Sequence, residues 1–297
     1  MQYAVSVPPF AEIFQPRVLA DLAVDAEQAG WDGFFLWDHV SIWPTPIADP
    51  WIALAAIGLA TQRIKLGAMV TPLPRRRPVK FAREVVTLDH LCNGRLIVGV
   101  GSGAGPWEYE YLGDEPAPAT RAAMLDEALE LIAQLWTGEP TLHEGRFYRF
   151  RGDAGPGNPE VRSTPLLPKP FQSPRPPIWV AGTWPKRRPF RRAARWDGVL
   201  PMVTGGGFGE YITADQTRAI AELIAAQRSS EAPFDVVISG HTTAQDAMAE
   251  RVRVAAIAAA GATWWLEDVS PWPFGWNWQG AWPVDAMRGR IKAGPPR

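Results

Sequence analysis

The sequence of 297 residues contains a single cysteine, Cys92. No intrachain disulfide can form, and a reducing, cytoplasmic setting is expected. There is no run of about 20 apolar residues, so no membrane span is expected. The start, Met1-Gln2-Tyr3-Ala4-Val5, lacks the basic stretch and apolar run of a signal peptide. Charge of one sign is missing as well. Thirty Lys and Arg against 31 Asp and Glu leave a net charge of −1. That balance gives no reason to expect nucleic acid or a membrane surface as partner. Metal signatures such as HExxH and CxxC do not occur, so no metal is expected. Gly101-Ser102-Gly103 is not the GxSxG of a serine hydrolase, and Cys92 falls at a predicted helix end.

What the chain does have is apolar residues (46%), 15 Trp and 30 Pro. Some of the tryptophans lie beside turns and at strand ends, where aromatic rings can either fill a core or wall a pocket for a flat ligand. Short apolar runs bounded by Gly, Pro or Asp predict eight strands: Tyr3–Val7, Gly33–Trp37, Ile64–Val70, Leu96–Val100, Pro177–Ala181, Gly198–Met202, Phe234–Ser239 and Ala262–Leu266. Their near-continuous hydrophobicity suits parallel strands covered on both faces. Helical patterns fall between them at Arg17–Ala29, Trp51–Thr61, Val79–Leu91, Ala119–Trp136, Pro189–Arg195, Ala214–Gln227 and Ala244–Ala260, with Val284–Ile291 last. Eight strand–helix alternations predict an α/β fold, a (β/α)8 barrel forming one domain over 1–297. An excursion around 140–176 departs from this plan. His143–Phe150 reads as extended, and Arg151–Arg175 is rich in Gly, Pro and Ser, either a lid over the barrel mouth or a plain surface loop.

Barrel chemistry sits where the strands end. Strand two ends in Asp38-His39, with Trp43 shortly after. Strand four ends in Gly99-Val100-Gly101-Ser102-Gly103, strand five in Gly182-Thr183-Trp184, strand seven in Gly240-His241 and strand eight in Glu267-Asp268. Of the four histidines, His39 and His241 fall on strand tips, where an imidazole can donate or accept a proton near neutral pH. His90 lies within a helix and reads as structural; His143 has no evident role. The glycine run before Pro106 approaches a dinucleotide fingerprint but does not turn straight into a helix. Lys186, Arg187, Arg188, Arg191, Arg192 and Arg195 gather cations around a helix start after strand five. They suit a phosphate or polyanionic tail, or simply a solvated basic face. Arg75-Arg76-Arg77 forms a second cluster.

Taken together, Ala29-Gly30-Trp31-Asp32, Lys65-Leu66-Gly67-Ala68-Met69-Val70-Thr71-Pro72, Ala82-Arg83-Glu84, Gly94-Arg95-Leu96, Gly99 through Gly103 and Pro177-Ile178-Trp179-Val180-Ala181-Gly182 resemble the luciferase-like oxidoreductase family. The likeness runs from about residue 3 to 290. It implies a (β/α)8 barrel, commonly a homodimer, that binds FMN or the deazaflavin coenzyme F-420 at the strand tips. A non-proline cis peptide is implied in the strand-three bulge, behind the flavin ring, at Ala68-Met69.

The Asp38-His39 pair with Trp43 resembles the deazaflavin-dependent sugar-phosphate and alcohol dehydrogenases. The basic run from Lys186 would suit a polyglutamate-bearing tail. Both favour F-420 and hydride transfer to or from a small-molecule substrate. On this reading Asp38, His39 and Trp43 are the expected catalytic residues. Asp38, Ala68, Met69, Val70, Gly101, Ser102, Ala181, Gly182, Thr183, Lys186, Arg187 and Arg188 are the expected cofactor contacts. In the sugar-phosphate dehydrogenases a glutamate follows the strand-four glycines; here the place is Ala104, so the resemblance gives no support for that substrate. The alternatives are an FMN-dependent monooxygenase using oxygen on the same barrel, and a non-catalytic flavin-binding protein.

Overall fold

The computed structural model describes residues 1–152, 163–203, 209–243 and 246–297. Strands and helices alternate along the chain: β1 Gln2–Val7, α1 Pro16–Gln28, β2 Gly33–Leu36, α2 Pro50–Ala60, β3 Lys65–Ala68, α3 Pro78–Leu91, β4 Val98–Gly101, α4 Pro118–Trp136, β5 Ile178–Trp184, α5 Arg187–Ala193, β6 Gly198–Val203, α6 Ala214–Ala225, β7 Asp235–Gly240, α7 Ala247–Ala259, β8 Trp264–Asp268 and α8 Val284–Lys292. Each predicted strand and helix has its counterpart. β5 runs on past the predicted Ala181 to Trp184, and the predicted first positions of α7, 244 and 245, lie outside the described residues. Contacts group into two compact units.

The first unit comprises Met1–Val70, Ile97–Val100 and Pro177–Arg297. Its strands pair in parallel in the order β3-β2-β1-β8-β7-β6-β5-β4. The two ends of that row also meet: Ile97 N, just before β4, donates to Leu66 O of β3 at 2.9 Å. A Cβ on Gly67 would lie 2.0 Å from Ile97 O, so only glycine permits this approach. The two ends of the row are thereby joined, as a barrel requires.

Side chains fill the ring. Ala4, Phe35, Met69, Ile97, Trp179, Leu200, Val237, Trp264 and Leu266 form one buried cluster. Phe35, Trp179 and Trp264 pack edge-on or tilted with centroids 5.2 to 6.1 Å apart, geometry that suits the ring quadrupoles. The buried Trp179 indole donates to Asp235 Oδ2 at 3.1 Å, so its N–H is not wasted. Burial pushes the Asp235 carboxyl above its ordinary value, against hydrogen bonds from Thr263, Trp179 and Trp264 that pull it down. Outside the ring, α1 buries Leu19, Leu22, Ala23 and Ala26, and Asp49 caps α2 through Ile52 N.

The second unit comprises Thr71–Leu96 and Gly101–Pro176. Within it α3 packs on α4, and the Trp136 indole donates to Ala82 O at 3.2 Å. The expected extended piece is a hairpin, His143–Glu144 antiparallel to Arg149–Phe150. Glu127 on α4 receives the N–H groups of Phe147 and Tyr148 and sits 3.2 Å from His143 Nε2. His143 thus has a role in holding the hairpin. Part of the excursion, 153–162, lies outside the described residues. Its return is tied down: Gln172 N and Nε2 both donate to the Asp89 carboxylate, and His90 Nε2 lies 2.8 Å from Lys169 O. His90 is structural, as its helical position predicts. Cys92, at the end of α3, is buried, and burial pushes its thiol up.

Candidate active site

In the first unit the ends of β2 and β3 lie side by side. Leu36 pairs with Ala68, and Met69 N donates to Leu36 O at 2.7 Å. Asp38-His39 therefore leaves its strand beside Met69-Val70. The two side chains have different surroundings. Asp38 turns inward, is 5% exposed, and accepts from the Trp51 indole at 3.3 Å. His39 is half-buried among aromatic rings, with its centroid 5.6 Å from Phe10 and 6.3 Å from Trp37. Trp37 in turn donates to Ser6 Oγ at 2.9 Å, which fixes the ring beside His39. Trp43 stands apart from this packing and is 91% exposed.

The non-proline cis peptide is present, but one residue further along than expected. It joins Met69 to Val70, not Ala68 to Met69. Ala68 belongs to the regular part of β3, paired with Leu36, and the chain departs from the ladder only after it. Met69 is buried in the ring's core, while Val70 is partly buried and packs against that core.

At the end of β5, Gly182 is buried and Ala181 and Thr183 are half-buried. A turn follows, closed by Lys186 N donating to Thr183 O at 2.9 Å. The side chains of Lys186, Arg187 and Arg188 are exposed. α5 starts at Arg187, ahead of the predicted Pro189, so both arginines lie in its first turn. Gly101 and Ser102 belong to the second unit. There the Ser102 carbonyl accepts from Tyr109 Oη at 3.1 Å and Arg121 Nε at 3.0 Å. Arg75 and Arg121 flank the Tyr109 ring at 4.7 and 4.0 Å, and burial pushes that phenol up to about 12.

The ends of β7 and β8 hold a polar knot. Glu267 is 0% exposed, and its carboxylate accepts from Thr242 N (2.6 Å), the Trp265 indole (2.8 Å) and Arg290 Nε (3.1 Å). A buried acid so fully engaged is a structural brace, not a proton donor awaiting substrate. His241 Nδ1 lies 3.0 Å from the Asp268 carbonyl, which can only accept. Nδ1 therefore carries the proton, and its other nitrogen is an acceptor when the ring is neutral. Tyr211 donates to Asp268 Oδ2 at 2.9 Å.

Sequence reasoning missed the aromatic neighbourhood of His39. Trp37 stacks on Trp272 with centroids 5.9 Å apart and planes at 9°. Trp272 touches Trp276 and Trp278, Trp276 touches Trp282, and Trp282 returns to Phe10 at 6.4 Å. The signal was visible, because four of the tryptophans fall between 272 and 282. Among the described residues no cluster of three or more His, Cys, Asp or Glu is placed to hold a metal. Nor, among them, is any helix long and apolar enough to cross a membrane.

A closed ring of eight parallel strands, with polar and aromatic groups gathered past the strand ends, defines a (β/α)8-barrel protein. The chain belongs to the luciferase-like monooxygenase family, whose model matches residues 1–281. It is 34% identical over 235 residues to an F-420-dependent glucose-6-phosphate dehydrogenase of Beutenbergia cavernae, covering 77% of this chain and 64% of that protein. A protein of the same description from Nakamurella multipartita is 41% identical over 145 residues, covering 47% of this chain and 42% of the relative. The matches thus span from 42% to 64% of these curated relatives. Among solved structures, an F-420-dependent secondary alcohol dehydrogenase in complex with an F-420–acetone adduct superposes with a TM-score of 0.73. It is 16% identical and covers 99% of this chain and 98% of its own, a likeness of fold.

Proposed function

We propose that this chain is an oxidoreductase that moves a hydride between coenzyme F-420 and a small organic alcohol or carbonyl compound. The observation that carries this reading is the Leu36–Ala68 pairing with its Met69 N to Leu36 O bond, which sets His39 beside the Met69-Val70 end of β3. The F-420-dependent relatives support the choice of cofactor.

The residues fit such a cofactor. Lys186, Arg187 and Arg188 offer exposed cations to an anionic tail, the small residues Ala181, Gly182 and Thr183 allow close approach at the end of β5, and Val70 presents an apolar backing. Bound F-420 supplies a ring carbon that accepts or returns a hydride. His39 takes the hydroxyl proton as an alcohol loses that hydride, leaving the carbonyl product, and returns the proton in the reverse direction. Asp38, its carboxylate bonded to the Trp51 indole, would bond the cofactor or position the neighbouring His39. Phe10 and Trp37 exclude water from one side of the imidazole. Trp43, exposed at the surface, would pack against the substrate.

Titrating the purified protein separately with F-420 and with FMN tests the reading. F-420 binding is expected; FMN binding without F-420 binding would overturn it in favour of a monooxygenase. His39→Ala should keep F-420 binding yet lose turnover by about 10²–10⁴-fold, the usual worth of a general acid–base group. Unchanged behaviour would point to a carrier.

A further inference from the structure

We infer that the outer face of α2 docks a second copy of this chain, the two helices crossing antiparallel about a two-fold axis at Ala55-Ala56. This assignment depends on neither the cofactor nor the reaction.

The starting point is composition. α2 reads Pro-Trp-Ile-Ala-Leu-Ala-Ala-Ile-Gly-Leu-Ala, with no charged, hydroxyl or amide side chain. The other α-helices of the first unit, α1, α5, α6, α7 and α8, all carry charged residues. A helix that is apolar all round needs cover all round. One side has it. Trp51, Ala53, Leu54 and Ile57 are buried, α2 packs on α1, and the Trp51 indole reaches Asp38 at 3.3 Å. The other side is open. Ile52 and Leu59 are each 69% exposed, and Ala55 and Ala56 between them are half-buried. Steps of three and four residues join these four into one stripe along the helix.

Register points to the occupant. A two-fold axis across a helix sets each residue opposite the one equally far beyond the centre. With the axis at Ala55-Ala56, Ile52 meets Leu59 of the partner subunit, and Leu59 meets the partner's Ile52. The small alanines then fall where the two helices approach most closely. Charge follows the same centre. Asp49 is the exposed N-cap of α2, and Arg63 is exposed just past its other end. The axis that pairs Ile52 with Leu59 also brings Asp49 opposite Arg63 of the partner subunit, once at each end of the crossing. Matched opposite charges around an apolar centre fix the register of an interface. A lipid surface would cover the stripe but gain nothing from that matching.

Sedimentation velocity on the full chain tests the assignment, and introduced cysteines read the register. Wild type should sediment as a dimer. Leu59→Arg should sediment as a monomer with an unchanged circular dichroism spectrum, because Leu59 is mostly exposed. Cys92 is buried, so a thiol introduced at the surface reports alone. Under mild oxidation, Ile52→Cys incubated with Leu59→Cys should give roughly tenfold more disulfide-linked dimer than either variant by itself, since only the mixed pair brings the two thiols within bonding reach. A monomeric wild type overturns the assignment, as does a Leu59→Arg variant that stays dimeric. Ile52→Cys linking to itself as readily as to Leu59→Cys overturns the antiparallel crossing, whatever the fate of Leu59→Arg. A monomer that co-sediments with phosphatidylcholine–phosphatidylglycerol vesicles would give the stripe to a lipid surface instead.

Discussion

Trp179 and Trp264 are 0% and 2% exposed and pack with Phe35 inside the strand ring; Trp276 and Trp278 belong to the loop after β8 and remain half-buried or open. Both groups make ring-on-ring contacts at similar centroid distances, 5.2 Å for Trp179–Trp264 and 5.2 Å for Trp276–Trp278. The difference is what surrounds them. Inside the ring both indoles are buried and the Trp179 N–H meets Asp235. In the loop after β8, Trp278 stays 61% exposed. Aromatic contact by itself therefore does not distinguish a core tryptophan from a surface one; burial does.

The comparison breaks first, and hardest, at Trp179. Trp179→Ala should cost about 3–5 kcal/mol in a urea-unfolding measurement, since it removes a fully buried ring and strips Asp235 of a donor. A loss below about 1 kcal/mol would mean that the ring interior is as loosely used as its mouth.

A smaller effect concerns Asp235. Because burial raises its carboxyl in the folded state, the folded chain binds a proton more tightly than the unfolded chain does. Stability from this group should therefore fall as pH rises from the ordinary value of 3.8 through the raised folded value. Asp235→Asn should remove that part of the decline when unfolding midpoints are compared across the acidic range. An unaltered pH profile would show that the partners Thr263 and Trp179 already compensate the burial.

The smallest effect belongs to the mouth. Trp278→Gly should leave the melting temperature unchanged or raise it slightly. Relief of the left-handed backbone, on the order of 1 kcal/mol, offsets the loss of a mostly exposed ring. A large fall would place Trp278 with the core tryptophans.

Much of this was legible in the chain. Apolar runs punctuated by Gly, Pro and Asp marked all eight strands, because a strand buried on both faces leaves a continuous hydrophobic stretch. Asp38-His39 was legible as a strand-tip pair for the same reason, standing where the run stops. The cis peptide was placed one residue early, because β3 holds its ladder through Ala68 and leaves it only after. Glu267 could not be read correctly from its neighbours. The partners that brace it include Thr242 and Arg290, which arrive from other strands and helices.

The sequence by itself determined the strand–helix alternation and the set of side chains available at the strand ends, since both follow from local hydrophobic period and turn chemistry. Only the tertiary structure decided which tryptophans are core and which stay open, and which acids are braces. It also decided that Gly67 lets Ile97 close the ring. Those outcomes depend on contacts between residues far apart in the chain, and no local pattern encodes them.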